Sequence, residues 1–334
     1  MRHAALVLAA CFFCLVTSCA HRSGSSAPPP PRYIMRDLGT LGGSFGYASG
    51  LNNKGQIVGR FGDKETATQA FLWSNGKFTR IGPLGGRMTI AAQINDQGQI
   101  AGAFDPPSDR NSGGEYAFLW QHGHLNPILA PGGNTSYAEG INNMGDVVGE
   151  AQFGRIRSDP FLLQKGKIYQ LIGGGNARAV NDSGQIVGRA GNDAVVWVNG
   201  PSSYQTIAKG DARAINNKGQ VVGGSGSHAF LWENGNLSDL GTLETKGYSM
   251  AFGINDAGQV VGNSDDEGDF RVEKVAKYTR AFLWQHGQMY DLNALVKQSG
   301  VLLTDGNAIN NHGQILCNGV IKGNHHAVLL TPTK

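Results

Sequence analysis

The sequence predicts an all-β protein, a seven-bladed β-propeller of four-stranded blades whose N-terminal strand completes the last blade. Three observations lead to this prediction. A short sequence unit recurs seven times, no segment shows a sustained helical period, and the chain begins and ends on strands of complementary type. Glycine supplies 50 of the 334 residues, without the three-residue period of collagen, and the 40% hydrophobic content argues against disorder.

The first segment, residues 1–18, is predicted to be an export signal. A basic start precedes an unbroken apolar run from Ala4 to Val16, which is typical of a signal peptide and too short to cross a bilayer. The run ends in Leu15-Val16-Thr17-Ser18-Cys19, which resembles the lipobox of bacterial lipoproteins. The resemblance implies that Cys19 carries lipid and begins the mature chain. The alternative is an ordinary signal peptide that is cleaved nearby.

Residues 19–32 are predicted to form a lipid-anchored tether. Serine and glycine precede four prolines at positions 28–31. The Ser/Gly part is expected to be flexible, and the proline run is expected to be extended. Ala20 stands where a lipoprotein retained in the inner membrane would have Asp, which implies the outer membrane if the cell is Gram-negative. We therefore expect a monomer in the cell envelope, facing the periplasm or the surface, that contacts the membrane through its N-terminal lipid.

Residues 33–334 are predicted to form the propeller. Their clearest mark is an apolar residue followed by Asn-[Asn/Asp]-x-Gly-[Gln/Asp]-[Val/Ile], and its copies lie 35 to 55 residues apart, as expected for blades. The first asparagines of the copies are Asn52, Asn95, Asn142, Asn181, Asn216, Asn255 and Asn310. Each copy predicts a tight hairpin turn, with the glycine (Gly55 in blade 1) in the left-handed conformation.

A second mark, Ala-Phe-Leu-Trp or a close variant, follows each turn. All five tryptophans occupy its last position: Trp73, Trp120, Trp197, Trp232 and Trp284. In blade 1 the four strands, a to d, are predicted at Ala48–Asn52, Gln56–Gly59, Ala70–Trp73 and Phe78–Ile81. Small residues dominate strand a and large ones strand c, which suits blades that diverge from a central axis.

The two ends of the propeller segment predict that the ring is closed. The segment begins with a d-type strand, Ile34–Leu38, and ends on a c-type strand, Ala327–Leu330. The first strand can therefore complete the seventh blade and remove a free sheet edge. After removal of the signal and lipidation of Cys19, only Cys317 remains, so no disulfide forms within the mature chain.

These motifs also carry a resemblance to a known family. Leu38-Gly39-Thr40-Leu41-Gly42-Gly43, the Ile-Asn-x-x-Gly-Gln-Val-Val-Gly units and His228-Ala229-Phe230 resemble the bacterial HAF repeat over all of residues 33–334. The family consists of extracellular repeat proteins with no established activity. The resemblance therefore implies location and repeat nature, and it lends no catalytic residue. The chain departs from the pattern in two places. Blade 3 has Pro160–Leu163 in place of the Ala-Phe-Leu-Trp mark, and blade 7 has Cys317 where the other blades have glycine.

Composition and spacing exclude several kinds of site. A net charge of +3 gives no reason to propose nucleic acid as a partner. The nine histidines lack the H-x-x-x-H spacing of metal sites, and we expect neither metal nor cofactor. The Asn and Asp of the turns are expected to bond their own backbone rather than calcium. The tryptophans are expected to fill the core between blades rather than stack on sugars.

Candidate binding residues lie in two places. The b–c and d–a connections vary in length and emerge on one face, whereas the a–b and c–d turns are short, and variable loops on a rigid frame are where binding is built. The charged candidates in the long blade 6 loop are Asp265, Asp266, Arg271 and Lys274, with solvated charge as the alternative. Near the axis, the candidates for a polar site at the channel mouth are Glu139, Arg178, Asp211, Arg213 and Asp305, with ion pairs between blades as the alternative.

The sequence therefore predicts a membrane-anchored binding or scaffold module that holds a protein or glycan on its variable-loop face. We favour this function over an enzymatic one. The alternative is a polysaccharide lyase or hydrolase that uses channel-mouth carboxylates such as Asp211 and Asp305, and it rests on analogy between folds. A structural spacer without a ligand is the third possibility.

Overall fold

A computed structural model of the chain describes residues 30–64, 67–82, 87–106, 114–154, 158–198, 200–245, 247–265, 279–297 and 300–333. The predicted signal, Cys19 and most of the predicted tether lie outside these residues. The compact unit begins at Pro31. Its strands form seven sheets, each of four antiparallel strands, which confirms the predicted seven-bladed β-propeller.

Within each of the first six blades the chain runs from the innermost strand outward. The innermost strands are β2 (Phe45–Leu51), β6 (Thr89–Ile94), β10 (Ser136–Ile141), β14 (Asn176–Val180), β18 (Asp211–Ile215), β22 (Tyr248–Ile254) and β26 (Val301–Ile309). The second strands are β3 (Ile57–Lys64), β7 (Ile100–Phe104), β11 (Val147–Gln152), β15 (Ile186–Ala190), β19 (Val221–Ser225), β23 (Val260–Asp265) and β27 (Ile315–Ile321).

The two outer strands of each blade carry the aromatic mark and the blade edge. The third strands are β4 (Ala67–Ser74), β8 (Tyr116–Gln121), β12 (Ser158–Gln164), β16 (Asp193–Trp197), β20 (His228–Glu233), β24 (Thr279–Gln285) and β28 (Asn324–Pro332). The outermost strands are β5 (Lys77–Ile81), β9 (His124–Ile128), β13 (Lys167–Gln170), β17 (Gln205–Lys209), β21 (Asn236–Asp239), β25 (Gln288–Asp291) and β1 (Tyr33–Gly39). A short helix, α1 (Leu292–Leu295), follows β25. Among the described residues, no helix has the length and apolar character needed to cross a membrane.

The N-terminal strand completes the last blade, as predicted. β1 pairs antiparallel with β28, with Tyr33 opposite Pro332 and Asp37 opposite Val328, in a sheet of order β1-β28-β27-β26. The pairing continues just beyond the strands, because the Thr333 amide donates a hydrogen bond to the Arg32 carbonyl at 2.8 Å. Residues from the two ends of the propeller segment therefore share one sheet.

The hydrophobic core consists of seven separate layers, one between each pair of neighbouring blades. The phenylalanines of the Ala-Phe-Leu-Trp mark and its variants are the deepest large side chains: Phe71, Phe118, Phe161, Phe230 and Phe282. The tryptophans pack in the same layers, as predicted, but only Trp73 and Trp197 are buried. The other three are half-buried and pack at the margins of their layers.

One turn departs from the predicted pattern. Five blades join their third and outermost strands through two residues with positive φ, such as Asn75 (φ 50°) and Gly76 (φ 81°), as in tight hairpins. In blade 4, β16 ends at Trp197 and β17 begins only at Gln205. Tyr204 from this longer connection packs edge-on against the Trp197 ring, with ring centroids 6.0 Å apart. The expectation that every c–d turn is short is therefore wrong for blade 4.

Candidate functional site

Each innermost strand places one residue in a central channel by means of a β-bulge. The register between the innermost and second strands shifts at this residue in all seven blades. The extra residue of a bulge stands outside the ladder, which frees its side chain to point into the channel. We call these residues the channel ring: Ser49, Ala92, Glu139, Arg178, Arg213, Phe252 and Asn307.

Two cavities meet at the channel ring. One, of about 460 Å³, opens on the face that carries the asparagine turns, and we call it the asparagine-face cavity. The other, of about 610 Å³, lies toward the opposite face, which carries the variable connections, and we call it the loop-face cavity. All ring residues except Arg213 line both cavities. The cavities are therefore the two ends of one channel.

Four of the predicted site residues come together in the wall of this channel. Arg178 of blade 4 places Nη1 2.6 Å from Glu139 Oε2 of blade 3 and Nη2 3.2 Å from Asp211 Oδ2 of blade 5. Arg213, also of blade 5, places Nε 2.9 Å from the same Asp211 oxygen. The Glu139–Arg178–Asp211 chain thus spans three neighbouring blades, which makes it an ion-pair network between blades.

All three guanidinium nitrogens of Arg178 take part in hydrogen bonds. In the orientation that satisfies both residues, the Asn176 amide oxygen accepts hydrogen bonds from Arg178 Nη2 at 2.9 Å and Nε at 3.3 Å. Burial lowers the pKa of Arg178, yet the adjacent carboxylates of Glu139 and Asp211 raise it overall. Burial also raises the pKa of Glu139, and the opposing effect of Arg178 does not cancel this rise. The role of Arg178 is therefore to hold blades 3, 4 and 5 together.

Arg213 makes fewer polar contacts than Arg178 does. Within the part of the chain that the structure describes, its two Nη atoms make no hydrogen bond, and its guanidinium carbon lies 5.9 Å from the centre of the Phe252 ring. Burial lowers the pKa of Arg213, Asp211 opposes this change, and Arg178 adds to it. Asp211 Oδ1 is buried and accepts no hydrogen bond from a described residue. This part of the wall keeps unused hydrogen-bonding capacity.

The loop-face cavity combines aromatic and charged side chains. Tyr47 packs 5.4 Å from the Phe45 ring and 5.2 Å from the His325 ring, and Arg60 lies over it at 5.4 Å. Burial, assisted by Glu139 and Glu115, raises the pKa of Tyr137 to about 12, so its hydroxyl stays protonated at neutral pH. Such a rim offers rings for stacking beside groups for hydrogen bonding and charge.

Sequence reasoning missed three polar residues of this cavity, Asn318 of blade 7 and the pair Arg60 and Glu150. Both occupy the position that directly follows the glycine of the second strand, opposite the innermost strand: Arg60 pairs with Tyr47 and Glu150 with Tyr137. The signal that could have found them is that this position varies between Arg, Ala, Glu, Gly and Asn from blade to blade, directly after a residue that is glycine in six of the seven blades.

Asp305 and Asp265 do not join the cluster. Asp305 lies in blade 7, where it accepts hydrogen bonds from Asn263 Nδ2 and Thr304 Oγ1, both at 2.8 Å. Neither Asp305 nor Asp211 lines either cavity, and blade 6 separates their blades, so they do not form the carboxylate pair of the hydrolase alternative. Asp265 is half-buried at the end of β23. The other loop candidates, Asp266, Arg271 and Lys274, lie outside the described residues.

The asparagine turns form two closed rings of hydrogen bonds at the other end of the channel. Asn52 Oδ1 accepts from the amides of Lys54 and Gln56, as the prediction of self-capped turns requires. The Nδ2 of each first asparagine also donates to the carbonyl of its counterpart in the next blade, and the seventh returns to the first. The Asn or Asp that follows each first asparagine forms the second ring. Its side-chain oxygen accepts a hydrogen bond from the backbone amide at the same position of the preceding blade. The turn prediction is correct but misses these contacts between blades.

One serine motif and the described metal-ligating residue types do not form a reactive site. Gly42-Gly43-Ser44-Phe45-Gly46 has the Gly-x-Ser-x-Gly spacing of a hydrolase nucleophile, so the expectation that this motif is absent is wrong. Ser44 donates to the backbone carbonyls of Gly62 and Asp63 and leads into strand β2, whereas the nucleophile motif needs a turn that leads into a helix. Among the described residues, no group of three or more His, Cys, Asp or Glu side chains could hold a metal ion.

Comparison with known proteins shows the fold and no family. No protein-family model matches the chain, and no curated protein matches it either. The structure is similar to the β-propeller domain of the Trilobed protease from Pyrococcus furiosus (TM-score 0.51, 11% identity, 86% of this chain and 95% of that chain). It is also similar to a chain of the mitotic checkpoint complex (TM-score 0.53, 9% identity, 95% of this chain and 98% of that chain). A puromycin-hydrolyzing peptidase of Mycobacterium tuberculosis is similar as well (TM-score 0.51, 11% identity, 91% of this chain and 54% of that chain). At such identities the likeness concerns the fold alone.

Proposed function

We propose that this protein is a binding module of the bacterial cell envelope that holds a glycan in the loop-face cavity. The observation that carries the proposal is the composition of that cavity. It offers about 610 Å³ of space lined by Tyr47 and Tyr137 together with Arg60, Glu150 and Asn318. A concave site that mixes aromatic faces with a few convergent polar groups is better suited to bind a small, hydroxyl-rich ligand than to bind the flat surface of another protein.

The position of the cavity supports the same function. It lies at the end of the channel near the variable connections, so a longer glycan can extend from the cavity onto the loops. The frame around it is rigid, because ion pairs join blades 3 to 5 and hydrogen-bonded rings close the opposite face. A preorganised frame lowers the entropy that binding costs.

A glycan array with the protein lacking residues 1–32 tests the proposal, followed by titration calorimetry with any glycan retained. Tyr47→Ala should weaken binding about tenfold, since it removes a stacking face and the support of Arg60. Tyr204→Ala is the matched control, because this tyrosine packs on Trp197 in the outer part of blade 4. Binding that survives both Tyr47→Ala and Tyr137→Ala, or the retention of no glycan at all, would contradict the proposal. Cleavage of a retained glycan would instead favour the lyase or hydrolase alternative.

The envelope location rests on the lipobox-like sequence at Cys19 and on the resemblance to the HAF repeat. Stable anchoring needs more than one acyl chain, because a single short chain binds membranes only marginally. Mass spectrometry of the mature N-terminal peptide should therefore show a Cys19 that carries several acyl groups. A free, unmodified N-terminus at Ala20 or beyond would contradict the lipid anchor and leave the glycan site untouched.

A further inference from the structure

We propose that Arg213 and Phe252 form a carboxylate-binding subsite in the channel, and hence that the glycan held by this protein is acidic, with uronate residues. The inference rests on the proposed glycan function and names the class of sugar. It requires the glycan to extend from the loop-face cavity past the channel ring, because Phe252 lines both cavities and Arg213 lines only the asparagine-face cavity. It starts from the contrast between the two arginines of the channel ring, which lie in neighbouring blades and differ in how many of their donors are hydrogen-bonded.

The first step is that Arg178 uses all three of its guanidinium nitrogens in hydrogen bonds, whereas Arg213 does not. Arg178 uses both Nη atoms on Glu139 and Asp211, and its Nε on Asn176. Arg213 approaches Asp211 through Nε alone. Its Nη atoms make no hydrogen bond within the described chain, while its side chain lines the asparagine-face cavity with 31% of its surface exposed. The outer edge of a guanidinium is the part that binds a carboxylate through two parallel hydrogen bonds.

The second step is the local charge. Arg178 and Arg213 face Glu139 and Asp211, and the charge of Arg189 lies close enough to lower the pKa of Arg213 further. Glu150 acts on Glu139 in the same way, so three cations stand against three carboxylates in and around this wall. A ligand carboxylate at Arg213 would therefore add a single negative charge to a balanced site. The additional charge of a phosphate dianion would be repelled by Glu139 and Asp211.

The third step is the apolar face beside Arg213. Phe252 lines both cavities beside the Arg213 guanidinium, which gives the subsite an apolar face against which a sugar ring can pack. Asn307 in the next blade donates Nδ2 to the Ala48 carbonyl at 2.8 Å, which leaves its Oδ1 to accept from a hydroxyl. An anion-binding edge, an apolar face and a hydroxyl acceptor around one channel match a uronate better than a simple organic acid.

Titration calorimetry at low salt with trigalacturonate, and with the neutral trisaccharide of galactose, tests this assignment. The unaltered protein should bind trigalacturonate at least about tenfold more tightly than its neutral counterpart, because the charged hydrogen bonds are lost with the carboxylate. Arg213→Gln should remove this preference. Arg213→Lys should keep only part of it, since an ammonium cannot bind a carboxylate through two parallel bonds. Lys218→Gln is the matched control, because it removes one positive charge from an exposed residue of the same blade.

The other possible results distinguish a failure of the carboxylate subsite from a failure of the glycan function. Equal binding of the acidic and neutral sugars overturns the carboxylate subsite but keeps the glycan function, whereas binding of neither removes both. Preference for a peptide with a free C-terminal carboxylate over its amidated form and over trigalacturonate overturns the uronate assignment. Should Arg213→Gln fail to fold, Phe252→Leu gives a second measurement, since it keeps the guanidinium and should weaken trigalacturonate binding several-fold. Unchanged binding by that variant would contradict the subsite.

Discussion

At the scale of single residues, the buried asparagines of the turns do most to define the fold. Asn181 is 3% exposed, and its amide makes four hydrogen bonds. Its Oδ1 accepts from the amides of Ser183 and Gln185, and its Nδ2 donates to Gln185 Oε1 and to the Asn216 carbonyl of the next blade. No other side chain of this size offers two donors and an acceptor in this geometry. The repetition of Asn in the sequence follows from this.

Asn181→Ala should lower the free energy of unfolding by about 3 kcal/mol, because it leaves the amides of Ser183 and Gln185 without partners and removes the bond to the Asn216 carbonyl of the next blade. Urea denaturation followed by tryptophan fluorescence measures the change. The matched control is Asn126→Ala, which removes one hydrogen bond from an exposed asparagine, to the Leu119 carbonyl, and should change the free energy by less than about 1 kcal/mol. Equal effects of the two variants would show that the rings between blades contribute little.

The sequence predicted the shape of these turns but not the rings that they form. A turn depends on neighbouring residues, so Asn52 and Gly55 suffice to predict it. The bond from Asn181 to the Asn216 carbonyl depends on the position of the next blade, which no local pattern reports. The same limit applies to Arg178 and Arg213. Both were predicted near the channel, whereas their different engagement emerges only from the packing of three blades.

At the scale of the strand, the two inner strands of a blade approach each other closely. This close approach explains why glycine recurs in the second strand. A side-chain carbon at Gly149 would lie well inside contact distance of the Tyr137 carbonyl oxygen, and the other five blades with this glycine show the same close approach. Gly149 stands opposite Ala138. In blade 7 the pair is reversed, with Gly306 opposite Cys317. The departure at Cys317 is therefore compensated by the strand beside it.

Gly149→Ala should lower the free energy of unfolding by more than about 2 kcal/mol, because the backbone of β10 must move to admit one methyl group. Cys317→Ala should cost only about 1 kcal/mol, since blade 7 already accommodates a side chain there and loses a single buried sulfur. Thermal and urea unfolding of both variants provide the comparison. A Gly149→Ala protein as stable as the unaltered chain would contradict the close approach of the two strands.

The histidine of the HAF tripeptide also has a role at this scale. His228 Nδ1 lies 2.8 Å from Asp239 Oδ2, and His326 Nδ1 lies 2.9 Å from Asp37 Oδ1, so each pair joins a third strand to its outermost neighbour. Arg280 and Asp291 form the same connection in blade 6. These pairs are partly exposed, so each contributes well under about 1 kcal/mol. The motif therefore marks a contact at the blade edge.

At the scale of the whole molecule, closure of the ring depends on strand pairing within blade 7 and on several contacts between blades 7 and 1. β1 pairs with β28, and Asp37 contacts His326 although the two lie 289 residues apart in sequence. The two asparagine rings are closed by bonds from Asn310 to Asn52 and from Asn311 to Asn53. A hydrophobic layer that includes Ile57, Phe71 and Leu316 fills the gap between the same blades. Removing β1 should therefore weaken the ring without opening it completely.

Two truncations test this closure. A chain that begins at Tyr33 should melt like the longer protein, because the deletion leaves β1 intact. A chain that begins after Gly39 loses the whole of β1, exposes the outer edge of β28 and should melt at least about 5 °C lower. It should also aggregate on heating, since a free strand edge pairs with other chains. Differential scanning fluorimetry combined with light scattering measures both effects. Identical melting of the two chains would show that β1 does not stabilise the ring, and closure would then depend on the asparagine rings and the apolar layer alone.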